Sequence, residues 1–213
     1  MRLPGVGTAT STRLLVEIGC GLRPRLPLER ALFVDVSRTA CTKLGRAGAR
    51  AVCGTIEALP FPTGGVDAAH AYELLEHVED DAAAVRELGR VLVAGGLLVI
   101  STPLHPARMD TFDRVVGHAR RYDPATLVAL MTDHGFALDG FAPFGLRPRS
   151  WLLGLLGVYY LTRQPRLALQ YEERFLRRRH APDAPVLIQQ GSEDDFVREA
   201  VRLDGAVTAW RRM

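Results

Sequence analysis

The sequence predicts a doubly wound α/β fold: a mostly parallel, seven-stranded sheet with helices on both faces and a helical insertion before the last strand. Three observations carry this. The runs LLVEI, ALFVDV and LLVIS are short and apolar, bounded by glycine or acid, as strands buried on both faces are. Between such runs lie segments with helix caps and helical spacing of apolar residues. Strand and helix alternate, and that order closes most simply into a parallel sheet covered on both sides.

In chain order, LLVEI at 14–18 and ALFVDV at 31–36 are the first two strands. Ser37 caps a helix reaching about Ala49, RAVCG at 50–54 is the third strand and VDAAHAY at 66–72 the fourth. Asp80 or Asp81 caps DDAAAVRELGRVL, in which Val85, Leu88, Val91 and Leu92 recur at helical spacing before Gly95 and Gly96, and LLVIS at 97–101 is the fifth strand. Asp123 with Pro124 at the first helical position starts DPATLVALMTDH, and Gly135 stops it ahead of a sixth strand, FALDGFA. The rhythm then breaks. WLLGLLGVYYL at 151–161 and an arginine-rich segment precede APVLIQQ at 184–190, read as the last strand, and Ser192 with Asp195 opens a helix expected to run through Trp210.

A chain of 213 residues with 47% hydrophobic content buries one substantial core, so a single domain 1–213 is expected. Its core spans 13–142, the insertion about 145–183, and the last strand and C-terminal helix 184–213. The opening MRLPGVGTATSTR lacks the apolar region of a secretory signal, and Cys20, Cys41 and Cys53 form no paired disulfide framework; a cytoplasmic location is the expectation. The net charge of +3, with Lys43 the sole lysine, gives no reason to expect nucleic-acid binding.

Ligands of an open parallel sheet sit beyond the carboxyl ends of its strands, at the switch point. The first strand ends in EIGCG, where Gly19 and Gly21 let backbone approach a ligand closely, and the second in Asp35, a carboxylate able to accept ribose hydroxyls. Between 22 and 30 stand Pro24 and Pro27, so a three-turn helix does not fit there. A pyrophosphate needs such a helix N-terminus; a ligand without phosphate does not.

Taken together, EIGCG, FVDVS, GTIEALPFPTGGVDAAHAYELLEHVED and LGRVLVAGGLLVIS resemble the class I S-adenosylmethionine-dependent methyltransferases, which have a Rossmann-like fold, over residues 13 to about 142. The similarity is strongest to the small-molecule branch that includes quinone-biosynthesis methyltransferases. It implies S-adenosylmethionine as methyl donor, S-adenosylhomocysteine as product and a small-molecule acceptor. Glu17 would orient the methionine amino group, with Gly19, Cys20 and Gly21 passing the amino-acid moiety and ribose. Asp35 would hold the ribose, Val36 and Ile56 would sandwich the adenine, Thr55 and Glu57 would lie at its edge, and Ala71 and Tyr72 would flank the methionine end. Two departures stand out: Thr55 replaces an aspartate common in the family, and Arg23 stands in place of the usual third glycine, in a connection shorter than typical.

Methyl transfer needs no protein nucleophile, but an acceptor hydroxyl or carbon acid can need a base, for which His77 and His118 are the candidates; His105 also follows a strand end. In GHARRYD, Arg121 and Tyr122 are candidates for gripping an anionic or hydroxylated acceptor, or else for bracing the helix that follows. The histidines and cysteines show no metal-ligand spacing, so no metal is expected. The apolar stretch with the arginines after it, 151–179, reads either as a lid or as a contact with a lipid-like acceptor or a membrane surface. Two other readings are a non-catalytic subunit with the methyltransferase fold and a nicotinamide-dependent oxidoreductase, the latter lacking the pyrophosphate helix.

Overall fold

The computed structural model describes residues 13–144, 188, 190–201 and 204–213. Seven strands form one sheet in the order β3-β2-β1-β4-β5-β7-β6. They are β1 (Leu15–Ile18), β2 (Leu32–Asp35), β3 (Arg50–Cys53), β4 (Val66–Tyr72), β5 (Leu92–Pro103), β6 (Phe136–Phe144) and β7 (Gly205–Arg212). Among the described residues five α-helices accompany them: α1 (Arg38–Arg46), α2 (Asp81–Val91), α3 (Thr111–Val116), α4 (Pro124–Asp133) and α5 (Glu193–Ala200). Strands β3 to β5 pair in parallel, and β7 lies antiparallel between β5 and β6.

Alternation along the strands divides the core between the two faces of the sheet. Val16, Ile18, Val34, Ala69 and Ala71 pack with residues of α2, α4 and α5, including Leu88, Leu127 and Phe196. Phe33 and Ala31 pack on the other side with Leu44 of α1 and with Leu26 and Leu28 of the connection between β1 and β2. The caps fall where the side chains dictate: Ser37 Oγ accepts from the Ala40 N–H, Asp80 from Ala83, and Asp123 from Ala125 and Thr126.

Residues 19–31 contain no helix, as the prolines require. The segment turns instead at Cys20, whose carbonyl accepts from the Arg23 N–H (3.0 Å), and at Pro27, whose carbonyl accepts from Arg30 (3.0 Å). Glu17 pins its middle, accepting from the backbone N–H groups of Arg25 (2.9 Å) and Leu26 (2.8 Å).

One expectation is overturned at the C-terminal end. The Ser192 and Asp195 capping box does open a helix, but that helix ends at Ala200, and Gly205–Arg212 are strand rather than helix. The strand starts at Gly205, and the AVTAW run is mostly apolar on both faces because it enters the sheet between two strands. A short buried run of that kind has no periodicity to separate strand from helix. The insertion expected at 145–183 lies outside the described residues, as does the strand expected at 184–190 except for Ile188 and Gln190, neither of which is in a strand.

Candidate functional site

The strand order reverses between β1 and β4, and a cleft of about 360 Å³ opens at the carboxyl ends of the strands there. Its volume lies within the range of about 300 to 1,000 Å³ typical of small-molecule sites. Gly19 follows β1 with φ +70°, a left-handed conformation that favours glycine, and a Cβ on it would lie 2.7 Å from the end of the Leu74 side chain and push it aside. Gly21 has φ +56° with open space where a Cβ would stand.

Asp35 ends β2 with 6% of its surface exposed. Its Oδ2 accepts from the Gly21 N–H (2.7 Å) and its Oδ1 from the Ser37 N–H (2.8 Å). Each oxygen keeps a further lone pair, so the carboxylate is oriented and still able to accept hydroxyls. Beside it Val36 is 74% exposed and Ile56 is buried, giving the cleft two apolar walls. Thr55 turns onto its own neighbour, its hydroxyl donating to the Glu57 carboxylate at the cleft edge.

Thus Gly19, Asp35, Val36, Thr55, Ile56 and Glu57 come together in the cleft lining, as expected from their positions at strand ends. Glu17, Cys20, Gly21, Ala71 and Tyr72 lie outside that lining. Glu17 is 2% exposed and holds the β1–β2 connection; burial raises its pKa, partly offset by the Arg25 and Leu26 N–H groups. Cys20 packs beside the Phe33 cluster, where burial, then the charges of Glu17 and Asp35, push its thiol up to about 12 and leave it unreactive. Ala71 is fully buried, and Tyr72 lies under the Arg25 guanidinium, 4.7 Å from its ring centre. Sequence reasoning missed Leu74, Val78 and Glu79, which line the cleft from the turn after β4. They lie within the LLEHVED motif, but only the turn geometry shows which of its side chains reach the cleft.

That turn, Leu75–His77, is tied to the segment after α3. Glu76 O accepts from the Ala119 N–H (2.8 Å), and Gly117, at φ +89°, ends α3 and turns the chain toward it. His77 lines the cleft, and its Nδ1 bonds the Gly117 carbonyl (3.1 Å). The His118 ring packs edge-on to His77, with centres 4.7 Å apart, and its Nδ1 bonds Asp113 Oδ1 (2.8 Å). Both candidate bases are therefore neighbours although 41 residues separate them. Burial lowers the His118 pKa despite the Asp113 carboxylate. Glu76 is fully buried, with neither carboxylate oxygen hydrogen-bonded among the described residues; burial, then repulsion from Glu73, raises its pKa to about 9.

Arg121 and Tyr122 are both engaged within the protein, as in the bracing alternative. Arg121 Nε donates to both Asp113 oxygens (3.0 and 2.9 Å), and its Nη1 donates to Asp204 (3.2 Å), joining α3 to the start of β7. Burial opposes the Asp113 charge, but hydrogen bonds from Arg121, the Asp110 N–H and His118 outweigh it and hold its pKa below the usual carboxylate range. Tyr122 is buried, and its hydroxyl donates to the Leu75 carbonyl or to Asp81, which burial and the Asp81 charge favour by raising its pKa. His105 likewise has a structural partner, the Ala200 carbonyl, 2.8 Å from Nε2.

Residues 4–100 match a family model described as a methyltransferase domain. A probable S-adenosylmethionine-dependent methyltransferase of Mycobacterium tuberculosis is 30% identical over 135 residues, which are 59% of this chain and 49% of that protein. An uncharacterized methyltransferase of Mycobacterium bovis is 30% identical over 105 residues, 45% of this chain and 53% of its own length. The chain spans about half the length of these curated relatives. Among solved structures, a methyltransferase of Thermotoga maritima described as a possible histamine N-methyltransferase superposes with a TM-score of 0.61 at 19% identity, covering 94% of this chain and 82% of that one. The [4+2]-cyclase SpnF matches with a TM-score of 0.61 at 20% identity, covering 94% and 74%. Likeness at this identity shows the fold alone.

Proposed function

We propose that this chain is a class I S-adenosylmethionine-dependent methyltransferase, a reading supported by the matched methyltransferase domain and the mycobacterial relatives, and that it moves a methyl group from S-adenosylmethionine to a small lipid-like or anionic acceptor. The observation that carries this reading is the oriented Asp35 carboxylate, set between exposed Val36 and buried Ile56 at the switch point. That combination suits a ribose with an apolar ring beside it. The helix-free 19–31 connection suits a ligand without phosphate and argues against a dinucleotide.

Asp35 would hold the ribose hydroxyls, Val36 and Ile56 the adenine faces, and Gly19 the close passage of the amino-acid part. Bound there, the donor supplies an electrophilic methyl on a sulfonium whose thioether leaves without protonation. Leu74 and Val78 add apolar lining to the same cleft, and positioning with desolvation of the donor would supply much of the rate. His77, on the cleft wall, is placed to take a proton from an acceptor hydroxyl; His118 orients it through ring contact. The arginine-rich 163–180 segment and the apolar 151–161 stretch, outside the described residues, favour the lipid-like or anionic acceptor. They also put peripheral membrane contact within this reading, which liposome flotation before and after deleting 151–179 tests. No helix among the described residues is long and apolar enough to cross a membrane.

The engagement of Glu17 by the Arg25 and Leu26 N–H groups favours one alternative, a subunit with this fold that does not turn over. Calorimetry with S-adenosylhomocysteine separates the two, followed by an acceptor screen that monitors its release and begins with quinone precursors. Absence of donor binding to the folded protein rules out the catalytic reading.

A further inference from the structure

Among the described residues, Glu76 is the charged group whose burial is least accounted for. It is fully buried, and both oxygens lack hydrogen-bond partners among the described residues. Buried carboxylates are ordinarily paired, hydrogen-bonded or bound to a metal. Its surroundings offer the third arrangement: one ligand atom each from Glu76, His77 and His118 lies within 4.8 Å of the others.

The two imidazoles are prepared for the role by their other nitrogens. His118 Nδ1 faces the Asp113 carboxylate, which Arg121 and the Asp110 N–H keep in place, and His77 Nδ1 faces the Gly117 carbonyl. Both partners only accept hydrogen bonds, so both rings carry their proton on Nδ1 and the lone pair on Nε2. His118 Nε2 points to Glu76 Oε1 at 3.9 Å. A histidine whose second nitrogen is bonded to a carboxylate or carbonyl is the usual outer support of a metal ligand.

We propose that Glu76, His77 and His118 bind one divalent transition-metal ion beside the cleft, with its free coordination positions open to an oxygen of the acceptor. With the ion bound His77 has no free nitrogen to act as a base, and the ion's lowering of the acceptor hydroxyl's pKa takes that role. Two imidazoles and one carboxylate suit zinc, iron, cobalt or nickel rather than magnesium or calcium. Ligand bonds of about 2.0–2.2 Å require the three atoms to draw in, His118 and Glu76 closing their 3.9 Å separation by small side-chain shifts and the exposed His77 side chain swinging toward them. The expectation of no metal rested on spacing along the chain; the sheet and α3 bring together residues that spacing does not connect. The ion's contact with an acceptor oxygen rests on the methyltransferase reading, whereas metal binding does not.

The test is calorimetric titration of chelator-stripped protein with zinc and cobalt chlorides, with the visible spectrum of the cobalt form as second readout. One ion per chain is expected. Outer-support substitutions cost about 10- to 100-fold in affinity, so Glu76→Gln and His77→Ala are expected to lose roughly 100-fold or more. His77 lies at the surface, so its variant keeps the test valid if Glu76→Gln fails to fold. Acetohydroxamate, a two-oxygen ligand, should shift the cobalt bands if free positions exist. No stoichiometric binding by the unsubstituted chain, or undiminished binding by folded His77→Ala, overturns the site; unmoved cobalt bands overturn its acceptor role. Titration of the stripped protein with S-adenosylhomocysteine keeps the two readings apart: its failure alone counts against methyl transfer, and metal failure alone against the ion.

Discussion

Asp35 shows how much of a binding site one side chain can carry. Its carboxylate is held by two N–H groups and still presents lone pairs to the cleft, so Asp35→Ala should weaken S-adenosylhomocysteine binding by about 1.5 to 3 kcal/mol, the worth of hydrogen bonds to a charged group. Calorimetry would read that as a loss of roughly 10- to 150-fold. Unchanged affinity in a folded variant removes Asp35 from the ribose role. His70 in β4 makes a different prediction. Burial lowers its pKa from 6.5 to about 4, and its Nδ1 has no partner among the described residues. Between those values the unfolded chain binds a proton that the folded chain refuses, so stability falls as pH drops from about 6.5 toward 4, by up to about 3 kcal/mol. Urea midpoints at pH 7 and 4.5 should fall less for His70→Leu than for the unsubstituted chain; an equal fall refutes the assignment. Asp35 was legible in the sequence because it ends an apolar strand. The isolation of His70 was not, since nothing local shows which groups a strand residue will face.

Among the elements, β7 departs most from its sequence reading. Trp210 is fully buried there, its indole N–H donating to Thr208 Oγ1 at 2.8 Å. Trp210→Ala should cost about 3 to 5 kcal/mol, measured as a lowered denaturation midpoint, because the strand is held between two others and the void cannot readily collapse. A cost under about 1 kcal/mol would mean that β7 does not complete the sheet. The elements that were legible, such as α2 and α4, carry their own caps and apolar spacing. The β1–β2 connection was legible for another reason: two prolines and the short distance to Asp35 leave no room for a helix. What the sequence did not show is that Glu17 then serves the loop, replacing the missing helix with two hydrogen bonds.

At the scale of the whole molecule, donor binding should appear as stability. A ligand that binds only the folded state stabilises it by about 2.7 kcal/mol at a hundred times its dissociation constant. S-adenosylhomocysteine is therefore expected to raise the melting temperature in a concentration-dependent way, whereas NAD leaves it unchanged. A shift with NAD and none with S-adenosylhomocysteine would reverse the assignment of the cleft.

The sequence by itself determined the alternating order that yields the parallel sheet, the strand ends that place Gly19, Asp35, Val36 and Ile56 at one edge, and the absence of a helix after β1. These are local properties: caps, prolines and apolar runs act within a few residues. Only the tertiary structure decided that Arg121 and Tyr122 brace α3 and the turn after β4, that 205–212 is a strand between two others, and that Glu76, His77 and His118 meet. Each of these rests on contacts between segments distant in the chain, and a residue's own neighbours in sequence carry no record of the groups that folding brings to its side chain.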